Sequence, residues 1–284
     1  MQKTIGIMAN RTKKNADSVG TRLITLIHEK GARALVQRDL AEAAGRPELG
    51  ADLETLGGNV DILFVLGGDG TLLGAARRFA GHGVPMLGIN IGHLGFLSEA
   101  GPEDLAMAVT RVLEGDFHLE RRMMIRTRVY RSGVMVHESV GLNDAGVGKG
   151  SFARMIEVTV YVDEDEFDHF TGDGLIISTP TGSTAYSLSC GGPIVLPQIN
   201  VMLVTPICAH QLVARPCVIG AEQQVRVRVF ARHHDLGLTV DGQVGFPLQS
   251  NDEVIVERAP HETVLVRWQE KAFFSTLREK MRDK

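Results

Sequence analysis

The chain is short of the residues that would tie it to disulfides, structural metal or a membrane. Its three cysteines, Cys190, Cys208 and Cys217, form no C-x-x-C pair and leave an odd thiol, which excludes a disulfide framework and a zinc ribbon alike. A reducing cytoplasm suits such a chain. Positive charge is no more abundant: 30 Lys and Arg against 34 Asp and Glu give a formal net charge of -4. That balance provides no polycation to hold nucleic acid or an anionic membrane, so any phosphate binding must be local. Long apolar runs are missing too. Residues 201–208 are interrupted by Pro206 and fall far below the roughly 18 residues of a membrane-spanning helix. The apolar stretch 5–9, between Lys3 and Arg11, is too short for a signal peptide. Three familiar signatures are also absent: G-x-G-x-x-G, G-x-x-x-x-G-K-S/T and H-E-x-x-H, so neither a Rossmann fingerprint, a P-loop nor a zincin helix is present.

What remains is a globular chain of 284 residues, 44% hydrophobic, with two patterns in succession. Through about residue 117, short apolar runs (4–9, 32–36, 61–66, 86–90) alternate with helix-like segments (17–30, 71–80, 102–114). This is the βα rhythm of a parallel sheet flanked by helices. Residues 61–66 are almost wholly apolar, as a strand buried on both faces must be. After residue 119 the runs become β-branched or alternate with period two (125–130, 155–162, 175–178, 225–230, 236–240, 254–256), which predicts a mostly antiparallel β domain. The expected division is therefore 1–118 as an α/β domain, 119–265 as a β domain, and 266–284 as a C-terminal helix folding back on the first domain.

The central strand ends in Gly67-Gly68-Asp69-Gly70-Thr71, and a helix begins there. Ligands of open α/β sheets sit at the carboxyl ends of strands. Glycines there allow close backbone approach, and the amides opening the helix can receive phosphate oxygens, which makes Gly67, Gly68, Gly70 and Thr71 a candidate phosphate-binding turn. Asp69 within such a turn suits a group that holds Mg²⁺ or accepts a proton from an attacking hydroxyl. A solvated aspartate in an ordinary tight turn is the plainer alternative. A second cluster runs from Thr171-Gly172-Asp173-Gly174 through Thr179-Pro180-Thr181-Gly182-Ser183-Thr184-Ala185-Tyr186-Ser187. Its hydroxyls, turns and single aromatic ring offer a polar ligand both hydrogen bonds and a stacking face.

Together with Asn143-Asp144 and Asp241-Gly242-Gln243, these motifs resemble the NAD kinase family in type, order and spacing from about residue 5 to 256. The first motif is shared with diacylglycerol-type lipid kinases and phosphofructokinases; the Thr-Pro-Thr-Gly-Ser-Thr-Ala-Tyr stretch is far more specific. The resemblance implies an α/β domain of the phosphofructokinase and diacylglycerol-kinase type, a β domain completing the NAD site, an active site in the crevice between them, and a homodimer or homotetramer. The implied reaction moves a phosphoryl group from ATP to the 2'-hydroxyl of the adenosine ribose of NAD, with Mg²⁺ or another divalent cation as cofactor. The resemblance gives Asp69 the role of proton acceptor, with Gly70 beside the nucleotide. It gives Asn143 and Asp144 the adenosine half of NAD, although many members carry glutamate where this chain has Asp144. Asp173 is implied to face the nicotinamide part, while Thr181, Thr184, Ala185, Tyr186 and Ser189 resemble the adenine and ribose pocket. Arg154 and Gln243 match positions near the dinucleotide. In Gly92-His93-Leu94-Gly95-Phe96, His93 and Phe96 match residues that lie over the substrate.

Other residues read more plainly. His233-His234 sits in a charged turn between expected strands, where a solvated hairpin tip is the simplest account and further metal ligands are wanting. Arg121-Arg122 with Arg126, Arg128 and Arg131 read as one solvated strand face, with neutralisation of ATP phosphates as the alternative. Cys190 reads as a small buried residue rather than a nucleophile. Rival functions are a lipid kinase, which would need an apolar membrane-facing surface, and a non-catalytic NAD or NADP sensor, which would have little use for Asp69.

Overall fold

A computed structural model describes residues 2–92, 95–150, 154–211, 214–233, 235–269 and 273–282, with backbone alone at 281 and 282. The chain forms two compact units: residues 1–121 with 263–284, and residues 122–262.

The first unit opens with β1 (Thr4–Ala9), α1 (Ala16–Glu29), β2 (Arg33–Gln37), α2 (Arg38–Ala43), β3 (Gly50–Ala51) and α3 (Leu53–Gly58). It continues with β4 (Ile62–Gly67), α4 (Asp69–Phe79), β5 (Met86–Asn90) and α5 (Leu105–Glu114). The strands lie in the order β3-β2-β1-β4-β5 and run parallel. Every residue of β4 is buried, as its uninterrupted apolar sequence requires. On α1 the buried residues include Val19, Leu23, Ile24 and Ile27, one stripe at helical spacing, which packs with Ile5, Ile7 and Phe64 of the sheet. The short helices α2 and α3 are not expected from the sequence pattern. Six residues give little periodic signal, and α3 starts where Asp52 accepts the amide of Thr55 at 2.8 Å, a local N-cap.

From β1 the chain winds outward to β2 and β3 and then returns to lay β4 on the opposite side of β1. The order thus reverses between β1 and β4, which is where an open parallel sheet leaves a crevice at the carboxyl ends of its strands. Both ends are tied together there, Asn10 donating its amide to the carbonyl of Leu66 at 2.9 Å.

The second unit is built from β6 (His118–Arg131, from residue 122), β7 (Val134–Gly141), β8 (Asp144–Lys149), β9 (Ile156–Val162), β10 (Asp165–Gly172) and β11 (Gly174–Ser178). After the short α6 (Tyr186–Ser189) come β12 (Val201–Ile207), β13 (Cys217–Gly220), β14 (Val225–Phe230), β15 (Leu236–Val240), β16 (Val244–Leu248) and β17 (Glu253–Arg267, to residue 262). One antiparallel sheet has the order β13-β12-β11-β8-β15-β16. Other antiparallel pairs join β10 to β9, β9 to β14, β14 to β17 and β6 to β7. Alternate residues of these strands, among them Val147, Ile177 and Leu238 with Val158, Val227 and Val254, make a single core. The C-terminal helix α7 (Phe273–Arg282) groups with the first unit.

Apart from the exposed Arg121, the arginines of β6 are not a solvated face, and Arg122 is buried. Arg126 and Arg128 both reach the carboxylate of Glu257, and Arg131 grips the buried Asp252 with bonds of 2.9 and 2.8 Å. Spacing puts Arg126 and Arg128 on one face, and Arg131 follows the register shift between Val129 and Tyr130; the acids, distant in sequence, decide that these arginines are paired.

Candidate active site

In the first unit the Gly67–Thr71 turn sits at the reversal point of the sheet. Gly67 ends β4, Gly68 is the N-cap of α4 without a side-chain cap, and Asp69 lies in the first turn. A Cβ on Gly67 would collide with the side chain of Thr71, whereas one on Gly68 would meet nothing. Packing therefore explains Gly67 and leaves Gly68 as open backbone at a helix N-terminus, where an anion can approach. Beside it is a cleft of about 630 Å³ lined by Asn10, Arg11 and Thr12 after β1, Gln37 at the end of β2, Asp39 in the first turn of α2, and Gly70, Thr71, Gly74 and Arg78 along one stripe of α4.

Asp69 is engaged. Its carboxylate accepts the amide of Phe96 at 2.7 Å, the amide of Leu97 at 3.1 Å and the hydroxyl of Ser98 at 3.4 Å. Gly95 lies so close that a Cβ there would run into the carboxylate. Asp69 and Phe96, both named from sequence, thus meet through side chain and backbone. His93 lies outside the described residues.

In the second unit Asn143 and Asp144 enter β8 against the turn at Asp241 and Gly242, two residues to which the sequence alone attaches no role. Both have positive φ, 53° and 62°, and the amide of Gln243 bonds the carbonyl of Val240 at 3.0 Å. These are the marks of a two-residue Asp-Gly hairpin turn. The Asp241 carboxylate turns back to accept the amides of Asn143 at 2.7 Å, Leu142 at 3.2 Å and Asp144 at 3.3 Å. From the other side Thr179 donates its hydroxyl to Leu142 O at 2.6 Å and its amide to Asn143 O at 2.8 Å. Gly182 packs so closely on Asn143 O that a side chain there would collide with it. The Asn143-Asp144 pair is clamped between the two motifs that the sequence singled out.

The Ser and Thr hydroxyls expected to meet a ligand are mostly spent inside this clamp. Ser178 and Ser183 bond backbone carbonyls, Ser187 bonds Thr205 at 2.9 Å, and Thr184 bonds Thr181 O at 3.3 Å. Thr181 receives an N–H from Arg122, a buried arginine, at 3.2 Å. Tyr186 and Ser189 are exposed, Tyr186 at 53%, and Thr184 and Ala185 are half-buried. Gln243 is exposed at the hairpin turn.

Asp173 and Tyr186 share a cleft of about 480 Å³, where Lys149 Nζ lies 3.4 Å from Asp173 Oδ1. Arg154 is not there. It lines a different cleft, of about 420 Å³, with Met155, Phe230 and His233. His233 takes the Asp235 amide at Nδ1, 3.3 Å, which leaves Nε2 to donate to the carbonyl of Arg154 at 2.8 Å. His233 is thus a half-buried bracing residue rather than a solvated hairpin tip; His234 lies outside the described residues.

Asp144 is the electrostatic outlier of the unit. It is 6% exposed, and burial, reinforced by the nearby charge of Asp241, pushes its carboxyl up to about 7, a perturbation that favours a functional site. Because the folded protein binds a proton that the unfolded chain has lost between about pH 4 and pH 7, this group withdraws stability as pH rises through that window. Asp144→Asn cannot ionise, so it should melt higher than the parent at pH 8, by about 1–4 kcal/mol of stability, with the difference vanishing near pH 4. Melting curves at the two pH values check this; no gain at pH 8 would show that Asp144 ionises freely.

Both halves of the chain match known families. Residues 5–117 match the model of the ATP-NAD kinase N-terminal domain, and residues 142–268 that of the ATP-NAD kinase C-terminal domain. The NAD kinase of Symbiobacterium thermophilum is 44% identical over 275 residues, 97% of each chain. That of Moorella thermoacetica is 44% identical over 280 residues, covering 98% of this chain and 89% of the relative. Among solved structures, yeast NADH kinase complexed with NADH superposes with a TM-score of 0.90 at 25% identity, covering 99% of this chain and 87% of that one. The fold is also that of an NAD kinase from Archaeoglobus fulgidus, TM-score 0.75 at 24% identity over the whole of both chains.

Proposed function

The chain belongs to the ATP-NAD kinase family, whose N- and C-terminal models it matches along most of its length, and from that premise we propose how its residues divide the work. The reaction is phosphoryl transfer from ATP to the 2'-hydroxyl of the adenosine ribose of NAD, giving NADP. The Gly67–Thr71 turn receives the transferring phosphates, because it joins an uncapped helix N-terminus to glycine backbone at the reversal point of a parallel sheet. Asp69 meets the attacking hydroxyl. The second unit supplies the dinucleotide contacts: Asn143 and Asp144 hold the adenosine half, Thr181, Thr184, Ala185, Tyr186 and Ser189 the adenine and ribose. Asp173 takes the nicotinamide end; Gln243 and Arg154, the latter from its separate cleft, and His93 and Phe96 of the first unit complete the contacts.

The single observation that carries this assignment is the clamp on Asn143-Asp144, in which Asp241 from one distant segment and Thr179 and Gly182 from another fix one two-residue stretch. A merely structural strand entry has no need of three such restraints. Positioning of this kind is what a phosphoryl transfer with a loose transition state requires from the protein.

A divalent cation belongs to the same proposal. Among the described residues no group of three or more His, Cys, Asp or Glu could hold a metal by itself, and three of the roughly four lone-pair directions of the Asp69 carboxylate face Phe96, Leu97 and Ser98. The residues therefore fit a cation held mainly by ATP phosphates, with at most one oxygen from Asp69, the pattern typical of Mg²⁺. Such an ion neutralises charge on the phosphates during transfer. A cytoplasmic location and a homodimer or homotetramer complete the proposal. No helix among the described residues is long and apolar enough to cross a membrane, and neither the lipid-kinase nor the sensor reading is favoured by these relatives.

The test is NADP formation by purified protein from NAD and ATP. Product should appear with Mg²⁺ and fall to background in excess chelator, with recovery when Mg²⁺ is restored. Undiminished turnover in chelator would remove the cation from the mechanism.

A further inference from the structure

Glycine backbone forms much of the wall of the 480 Å³ cleft, where Gly146, Gly148, Gly150 and Gly237 all line it. Gly148 of β8 and Gly237 of β15 are cross-strand partners, so two glycines stand abreast across neighbouring strands. This glycine backbone, with Tyr186 lining the same cleft, accepts a planar ring where larger side chains would prop it away.

Three charges line this cleft. Lys149 and Asp173 form the 3.4 Å pair, and Asp235, carried on the segment before β15, stands close enough to Gly150 that a Cβ there would strike its carboxylate. One cation and two anions leave the ring site with a net charge of -1. The oxidised nicotinamide ring carries a positive charge and the reduced ring none, so a charge in this cleft acts on one form of the dinucleotide and not on the other.

We propose that Lys149 and Asp235 set the preference of this enzyme between oxidised and reduced dinucleotide, Asp235 favouring NAD and Lys149 opposing that preference by offsetting Asp173. The inference rests on the assignment of the nicotinamide end to Asp173. Both residues act through the field at the ring, not through the phosphoryl transfer, so their effect belongs in the ratio of kcat/KM for NAD to kcat/KM for NADH. A residue that merely supports the fold would change both values alike.

The experiment measures that ratio, with ATP as donor, for the parent, Lys149→Met, Asp235→Asn, Asp173→Asn and the Lys149→Met/Asp235→Asn double variant, at low ionic strength. Lys149→Met should raise the ratio about three- to tenfold and Asp235→Asn should lower it by a similar factor, the range expected for unit charges several ångströms apart in a partly solvated cleft. The double variant should return near the parent, and added salt should compress every difference. If Asp173→Asn lowers the ratio while the other two leave it within twofold, the roles of Lys149 and Asp235 are overturned and the nicotinamide assignment stands. If all three leave it unchanged in active protein, the ring lies elsewhere and both fall.

Discussion

Asp69→Asn should lower kcat by about 10²–10⁴-fold, the range of a positioned acid-base group, while the dissociation constant for NAD moves by no more than about threefold. The substitution keeps the size of the side chain and removes its charge and basicity. An interaction made mainly in the transition state depresses kcat and kcat/KM together. The structure adds a second route to the same loss, because the carboxylate also anchors the backbone of Phe96 and Leu97. An asparagine can accept one of those amides, but its own NH₂ then faces the other. Assays well below the melting temperature, with NAD binding measured alongside, separate the routes: a loosened 95–98 segment weakens binding, whereas lost chemistry does not. Gly95→Ala tests the anchor from the other side, since its Cβ would press on the carboxylate; kcat should fall there too although Asp69 is intact. Folded Asp69→Asn protein that still makes NADP at more than about a tenth of the parental rate would show that another residue meets the hydroxyl.

The first half of the chain was legible because burial on both faces and βα alternation leave strong marks: the apolar run 61–66 marks β4, and the glycine turn marks the start of α4. In the second half, β8 went unseen. Its sequence Asp-Ala-Gly-Val-Gly-Lys has glycine where strand propensity wants branched residues, and its place is fixed by its neighbours β11 and β15 rather than by its own preferences. The same glycines, Gly146 and Gly148, line the 480 Å³ cleft. Charged partners were illegible for a related reason. Nothing near Arg131 in sequence points to Asp252, and nothing near Lys149 points to Asp173; such pairs exist only once the strands are in register. Asp241 stood between these cases. Asp-Gly between two apolar runs is a recognisable hairpin signal, yet only the fold reveals that its carboxylate reaches back to residues 142–144.

Asp241→Ala should therefore be nearly as damaging as the change at Asp69, by a different path. The amides of Leu142, Asn143 and Asp144 would lose a charged acceptor, and each such bond is typically worth about 1.5–3 kcal/mol, with partial recovery as water enters. Alanine at φ 53° adds about 1–2 kcal/mol of backbone strain that aspartate or asparagine relieves with local hydrogen bonds. A net loss of about 3–5 kcal/mol should appear as a lower melting temperature. If the clamp is what positions NAD, the Asn143-Asp144 stretch also moves, and a displacement near 1 Å can cost about 10²-fold in rate, read in kcat/KM for NAD. Asp241→Asn separates the two effects, for it tolerates the left-handed turn and keeps one acceptor. It should fold with most of its stability while losing part of the activity. It should also remove the neighbouring charge that helps to push Asp144 up to about 7, so the fall in stability with rising pH should still begin near pH 4 but finish at lower pH than in the parent. Asp241→Ala protein with kcat/KM within threefold of the parent would mean that the clamp is scaffolding and that NAD is held elsewhere.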